Sequence, residues 1–159
     1  MVQNHYHLCY KAKKLFLKIF LINSIICISN INNMISEVHL VIKGNKNQKL
    51  LSEEFPYKPS EVLVNGITSQ CNKICYIEGK EEINNITLRF NQIIKSCYFM
   101  FNDLRNILEV DLSSFDASEV SSMQSMFHHC ENLNKINFGN INTSLVENMI
   151  SLFDDCINL

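Results

Sequence analysis

Two histidines stand directly before a cysteine at positions 128 to 130, and this run is the one best suited to chemistry. An imidazole beside a thiol can activate it as a nucleophile. The sequence pattern recurs every 26 residues, however, and the positions one repeat after His128 and His129 hold Asp154 and Asp155. A position that accepts either an imidazole or a carboxylate is typical of a polar, exposed end of a repeat. We therefore predict no catalytic role for this run.

Other motifs of catalysis are absent from the sequence. It has no phosphate-binding glycine loop, no serine nucleophile elbow and no zinc-binding helix motif. Cys71 and Cys75 lie four positions apart, whereas zinc-binding cysteine pairs usually have two intervening residues. His5, His7 and Cys9 could be drawn as a metal site, but they belong to a segment better explained as a targeting sequence. We expect no catalytic residues, no metal ligands and no cofactors, and hence a protein that is not an enzyme.

The pairing of the cysteines has two interpretations at each pair. In an exported chain, Cys71 and Cys75 either form a local disulfide or bond elsewhere. Cys130 and Cys156 occupy equivalent positions of adjacent repeat units. If the units stack, these two residues either bridge or form a ladder of small buried side chains, and the pattern favours the ladder.

The composition suits one modest globular domain. The chain has 159 residues, of which 47% are hydrophobic and 19% are charged, so it has apolar material for a core without the charge excess of disordered chains. The formal net charge is -2, which leaves no basic field for neutralising phosphates. Nucleic acid is therefore excluded as a partner, and so is recruitment to a membrane surface by charge.

The N-terminal segment has the pattern of a secretory signal peptide. Residues 1–35 contain lysines but no acidic residue, and a lysine cluster precedes the apolar run Leu15–Ser29. This run is shorter than the roughly 20 residues of a transmembrane helix and contains Lys18; a membrane anchor is the alternative. Asn85 and Asn142 each begin an N-glycosylation sequon. We predict a signal peptide over residues 1–35 and an extracellular or cell-surface location.

Alternating apolar and polar residues predict short strands in residues 36–93. The alternation is clearest over residues 37–43, 61–65 and 83–90. We expect these strands to form a β-rich cap in front of the repeats.

Residues 94–159 consist of an internal repeat, with units at 108–133 and 134–159 and a degenerate first copy. Each unit opens with apolar residues two positions apart, as in a strand, and continues with spacings of three and four, as on one face of a helix. One unit cannot bury its own apolar face, so the units must stack. We predict an α/β repeat fold, a short solenoid with a strand and a short helix in each unit. Its core is Val110, Leu112, Val120, Met123, Phe127, Leu133, Ile136, Phe138, Val146, Met149 and Phe153.

The units resemble the BspA-like leucine-rich repeats, also called the mycoplasma lipoprotein-associated surface-protein repeat. The segments that resemble it are VDLSSFDASEVSSMQSMFHHCENL and INFGNINTSLVENMISLFDDCINL. The hallmark residues of the first are Leu112, Phe115, Ser118, Val120, Met123, Met126, Phe127, Cys130 and Leu133.

This resemblance implies a leucine-rich-repeat-like solenoid on a secreted or surface protein. Such a protein would bind a protein or a glycan on another cell or matrix, and would contact a membrane only through export or an anchor. The alternative is a self-assembling coat or matrix component in which the open end of the last unit stacks against another copy. The pattern stops at Leu159 without a polar cap, which suggests a fragment, with repeats or an anchor to follow, or a very short member.

If the N-terminal segment is a signal peptide, the exported protein begins after it. We expect mass spectrometry of the protein from the medium or cell surface to find an N-terminus between Asn30 and Glu37. The same mass reports disulfides and attached glycans. A chain that begins at Met1 and stays in the cytosol would contradict export.

Overall fold

Eight β-strands form the framework of the chain in a computed structural model that describes residues 35–71, 75–79 and 81–159. They are β1 (Ser36–Lys43), β2 (Asn47–Lys49), β3 (Glu61–Val64), β4 (Ile67–Ser69), β5 (Tyr76–Glu78), β6 (Ile83–Phe90), β7 (Ile107–Asp111) and β8 (Lys135–Asn137). The three strands expected from alternation correspond to β1, β3 and β6. The predicted signal peptide lies outside the described residues, except for its last position, Ile35. The described residues contain no helix able to cross a membrane.

Strand β1 is central, since it pairs antiparallel with β6 on one side and with β7 on the other. The six-stranded sheet has the order β4-β3-β6-β1-β7-β8, and its β7–β8 pair is parallel. Strands β2 and β5 form a separate two-stranded sheet. Because β1 comes from the predicted cap and β7 from the repeats, both segments share one sheet, and Ser36–Leu159 form one compact unit.

One face of the large sheet is apolar and the other is polar. In β1, the side chains of Val38, Leu40 and Ile42 are buried, whereas Glu37 and His39 remain partly exposed. Strand β6 alternates in the same way. The period of two that strands impose on side chains therefore sends the apolar residues into the core and leaves a polar outer face.

The predicted helix in each repeat unit is wrong. The described residues contain strands, turns and bends but no helix, so the fold is all-β with a mixed sheet rather than an α/β leucine-rich-repeat-like solenoid. The backbone angle φ is positive at Ser125 and His129 of one unit and at Ser151 and Asp155 of the next. An α-helix needs a φ of about -60° at every residue, so these positions interrupt it.

Short turns replace the helix. The N–H of Met126 donates to the carbonyl of Met123 (3.2 Å), and the N–H of Cys130 donates to that of Phe127 (3.1 Å). Every second N–H group of this segment instead donates to a carbonyl of the next unit; for example, the N–H of Phe127 donates to the carbonyl of Leu152 (3.0 Å). A row of turns points residues into the core at spacings of three and four just as a helix does. Spacing alone therefore predicted the wrong element.

The repeat units stack in parallel at the register of 26 residues. The ring of Phe127 lies 5.6 Å from the ring of Phe101 and 5.6 Å from the ring of Phe153, in stacked orientation with both. Isolated parallel bridges join the three units at Ser96, Ser122 and Asn148. Equivalent residues of successive units therefore lie one above the other.

The predicted repeat core is buried in the first complete unit and open in the last. The buried residues are Val110, Leu112, Val120, Met123, Phe127 and Leu133. Ile136 and Val146 are partly buried against the core, whereas Phe138, Met149 and Phe153 are 36%, 47% and 38% exposed. The last unit thus presents an apolar surface to solvent.

The phenylalanine ladder offers a matched test of this packing. Truncation of the fully buried Phe127 to alanine should lower the free energy of unfolding by about 3–5 kcal/mol, through lost burial and a cavity. Phe153→Ala removes the same atoms from a ring stacked on one side and should cost less than half as much. Denaturant unfolding of both variants checks this, and equal losses would contradict the stacking described.

Candidate functional site

The polar face of the six-stranded sheet contains a concave region of about 390 Å³. Its walls come from the four strands β6, β1, β7 and β8, each of which turns polar side chains outward. The polar lining residues are His39, Asn85, Thr87, Glu109, Asp111, Lys135 and Asn137. Strand pairing therefore brings together residues that are distant in the sequence.

Hydrogen bonds hold several of these side chains in place. His39 Nδ1 lies 3.1 Å from Thr87 Oγ1. The carboxylate of Asp111 accepts from the N–H of Ser113 (2.8 Å) and from the amide of Asn137 (3.0 Å). Hydrogen bonds from Ser113, then from Asn137, lower the pKa of Asp111 below its ordinary value, so this carboxylate stays charged near neutral pH. The concavity is a preformed array of donors and acceptors.

A cross-strand ion-pair network occupies the neighbouring part of the same face. Arg89 in β6 contacts Glu37 in β1 and Glu61 in β3, at 2.7 Å each. The hydrogen bond with Arg89 lowers the pKa of Glu61, and the bonds to Glu61 and then Glu37 raise the pKa of Arg89. At the other edge, Lys135 pairs with Glu109 at 2.7 Å. These pairs balance much of their own charge, so the face is suited to hydrogen bonding more than to long-range attraction.

The cysteines named from the sequence fall into two different environments. A disulfide joins Cys71 to Cys75, whose Cα atoms lie 4.6 Å apart. Cys130 and Cys156 are free thiols. The thiol of Cys130 donates to the carbonyl of Phe101 (3.1 Å), and that of Cys156 donates to the carbonyl of Phe127 (2.9 Å). Each thiol thus bonds to the preceding unit.

The two predicted glycosylation positions are both exposed. Asn85 is in β6 and contributes to the concave region. Asn142 lies in the turn after β8, where its side-chain oxygen accepts from the N–H of Ser144 at 3.0 Å. A glycan on Asn85 would occupy the polar face itself.

The run that first suggested thiol chemistry does not assemble a nucleophile. Burial, as the largest cause, raises the pKa of the Cys130 thiol to about 12, so the reactive thiolate is scarce near neutral pH. Instead of facing that thiol, the imidazoles of His128 and His129 lie near the carboxylates of Asp154 and Asp155.

The outer side of the last described unit is a second distinctive surface. In the preceding unit, alternate N–H groups donate to carbonyls of the last unit, at distances from 2.8 to 3.0 Å. The corresponding groups of the last unit have no acceptor among the described residues; they are the N–H groups of Met149, Ser151, Phe153 and Asp155. This end therefore combines exposed apolar side chains with a row of unused donors.

The concave face could not be predicted from the sequence, because its residues come from four separate strands. One signal for part of it was available. The repeat register of 26 aligns Glu109 with Lys135 and Asp111 with Asn137, and the parallel β7–β8 pairing places the members of each pair side by side. Strands β1 and β6, which complete the face, could not be aligned from the repeat.

A family model described as "Mycoplasma protein of unknown function, DUF285" matches residues 77–159 of the chain. The match covers strand β6 and all of the stacked units. No curated protein and no solved structure matches the sequence.

The free thiols should differ in reactivity according to their burial. Burial raises the pKa of Cys97 to about 12 from 9.0, whereas Cys156 is only partly buried. We expect native alkylation at about pH 8 to label Cys156 first and to label Cys97 only after denaturation. Peptide mass mapping checks the order, and equal labelling of the native protein would contradict the buried position of Cys97.

The pKa of Cys97 is higher in the folded chain than in the unfolded chain. Its contribution to the free energy of unfolding is therefore full below pH 9.0 and is lost as the pH rises toward 12.

Proposed function

This chain belongs to the DUF285 family, since the family model covers more than half of it, and we propose that it is a secreted or surface recognition protein without catalytic activity. The observation that supports this most is the polar concave face of the sheet. It offers fixed donors and acceptors on a rigid framework, as a binding site requires.

The chemistry of the face suits a protein or a glycan on another cell or matrix. Asn85, Thr87, Asp111 and Asn137 present amide, hydroxyl and carboxylate groups within one concavity, and such groups can bond to sugar hydroxyls or to a peptide backbone. The resemblance of the units to BspA-like surface-protein repeats and the signal-like N-terminal segment favour the same location, outside the cell. The family description itself names no function.

Self-assembly into a coat or matrix is the second candidate, and the open end of the stack favours it. Met149 and Ile150 are 47% and 66% exposed there. Two identical ends placed face to face would both offer N–H donors and no carbonyl acceptors, so such a dimer would rely on apolar contact alone. A partner with a free row of carbonyls would satisfy the donors better.

A charge placed inside the concavity separates these functions. Thr87→Lys introduces a long cation among the lining residues without altering the buried face of β6. Because the change also removes the sequon that begins at Asn85, all chains in this test are produced in a host that adds no N-glycans. We expect the wild-type chain to bind at least one member of a glycan array or of a set of immobilised matrix proteins, and Thr87→Lys to weaken that binding at least tenfold. Asn140→Lys is the matched control, because it adds the same charge on an exposed turn outside the concavity.

Equal binding by Thr87→Lys and wild type would place recognition elsewhere. Sedimentation velocity of the same samples over a range of concentrations tests the second candidate. Concentration-dependent growth that Thr87→Lys leaves unchanged, without binding to any probe, would favour self-assembly over recognition.

A further inference from the structure

Four side chains that could ligate a metal meet where the last two repeat units stack. His128 and His129 come from one unit, and Asp154 and Asp155 occupy the same repeat positions in the next. The Nδ1 atom of His129 lies 2.9 Å from Oδ2 of Asp155, and Nε2 of His128 lies 3.9 Å from Oδ2 of Asp154. One ligand atom from each of His128, His129 and Asp155 can be chosen so that all lie within 4.8 Å of one another.

A hydrogen bond from the first repeat unit orients one imidazole toward this cluster. Nδ1 of His128 lies 2.8 Å from Oδ1 of Asn102. An amide oxygen can only accept, so Nδ1 holds the proton and the lone pair is on Nε2. A partner that fixes the tautomer and ring orientation of a histidine is a regular feature of metal sites. Asn102 is thus placed to support His128 as a ligand through Nε2.

The charge around the cluster also favours a cation. Asp154 and Asp155 pair with the two imidazoles and with no lysine or arginine of the described ranges. The nearby arginine, Arg105, already contacts Asp103 and Glu131 at 3.0 and 3.1 Å. The two carboxylates are 58% and 54% exposed at the side chain, so an ion can reach them from solvent.

We propose that His128, His129 and Asp155 form a binding site for a borderline divalent metal, with Zn²⁺ as the best fit. Imidazole and carboxylate suit zinc, whereas Mg²⁺ and Ca²⁺ prefer oxygen ligands throughout. Three protein ligands leave the fourth tetrahedral position to water. Asp154 adds negative charge beside the site.

The ligand atoms, which lie within 4.8 Å of one another, must rearrange to the spacing that one ion requires. Ligand atoms of a tetrahedral zinc with bonds near 2.0 Å lie roughly 3.3 Å apart. The 2.9 Å contact between His129 and Asp155 opens slightly, and His129 binds through Nδ1 after its proton moves to Nε2. Because the ligands come from two units, the ion fastens the last unit to the one before it.

Zinc titration of the full chain tests the site. The chain is produced without a histidine tag and with His5→Gln and His7→Gln, which removes the other clustered histidines from the background. Isothermal titration with ZnCl₂ should show one ion bound per chain, and excess Mg²⁺ should not displace it. His129→Asn and Asp155→Asn should each weaken the affinity at least tenfold, and asparagine tolerates the positive φ of both positions.

Two matched variants control for other ligands. Glu119→Gln removes an exposed carboxylate from the turn before Val120, and Cys156→Ser removes the neighbouring thiol; both should leave the zinc affinity unchanged. Zinc should also raise the thermal midpoint of the wild-type chain and not that of His129→Asn. All variants are compared in EDTA, where their midpoints should agree.

Cobalt substitution gives a readout on the unmutated ligand set. Co²⁺ bound by imidazole and carboxylate should show visible d–d bands without the sulfur-to-metal charge-transfer band that a thiolate ligand adds. The absence of saturable zinc binding would overturn the proposal. So would affinity that His129→Asn and Asp155→Asn leave intact, or affinity that Cys156→Ser abolishes.

Discussion

The row of hydrogen bonds between repeat units is the interaction on which the rest of the structure depends. N–H groups of Met123, Ser125, Phe127 and His129 all donate in one direction, to carbonyls of the next unit. This pattern requires left-handed backbone angles at Ser125 and His129, whose φ values are 52° and 56°. Such conformations are uncommon for residues other than glycine. The bonds that they permit offset that cost and fix the register of 26.

Because this particular row of N–H groups donates in one direction, its two ends differ. The first unit turns its carbonyls toward the β-rich segment, and Met100 accepts there from the N–H of Ser52 at 3.0 Å. The N–H of Lys43 also donates to the carbonyl of Asn106 (2.8 Å). The β-rich segment therefore supplies the donors that the first unit lacks.

The spacing of apolar residues in the sequence predicted the strands and the repeat register. It gave the wrong element where turns and a helix share the same spacing. Strands β1, β3 and β6 followed from alternation, and the repeat register followed from identical residues such as Phe127 and Phe153. The prediction of a helix was wrong because turns and helices both bury residues at spacings of three and four, and because no glycine marks the positive φ at His129. The concave face was missed because its assembly depends on the pairing of β1 with β7, which no local pattern reveals. The meeting of His129 with Asp155 follows from the register, but its geometry does not.

Buried and exposed positions of the repeat obey opposite rules. Inside the stack, identical residues recur, since the rings of Phe101, Phe127 and Phe153 stack and equal shapes fill equal spaces. On the surface, stacked positions hold complementary groups instead: Arg105 faces Glu131, Glu109 faces Lys135, and His129 faces Asp155. Like charges directly opposite on neighbouring strands would repel. A parallel stack therefore favours the same residue type at equivalent core positions and different residue types at equivalent surface positions. These surface positions are where each unit can acquire a binding role of its own.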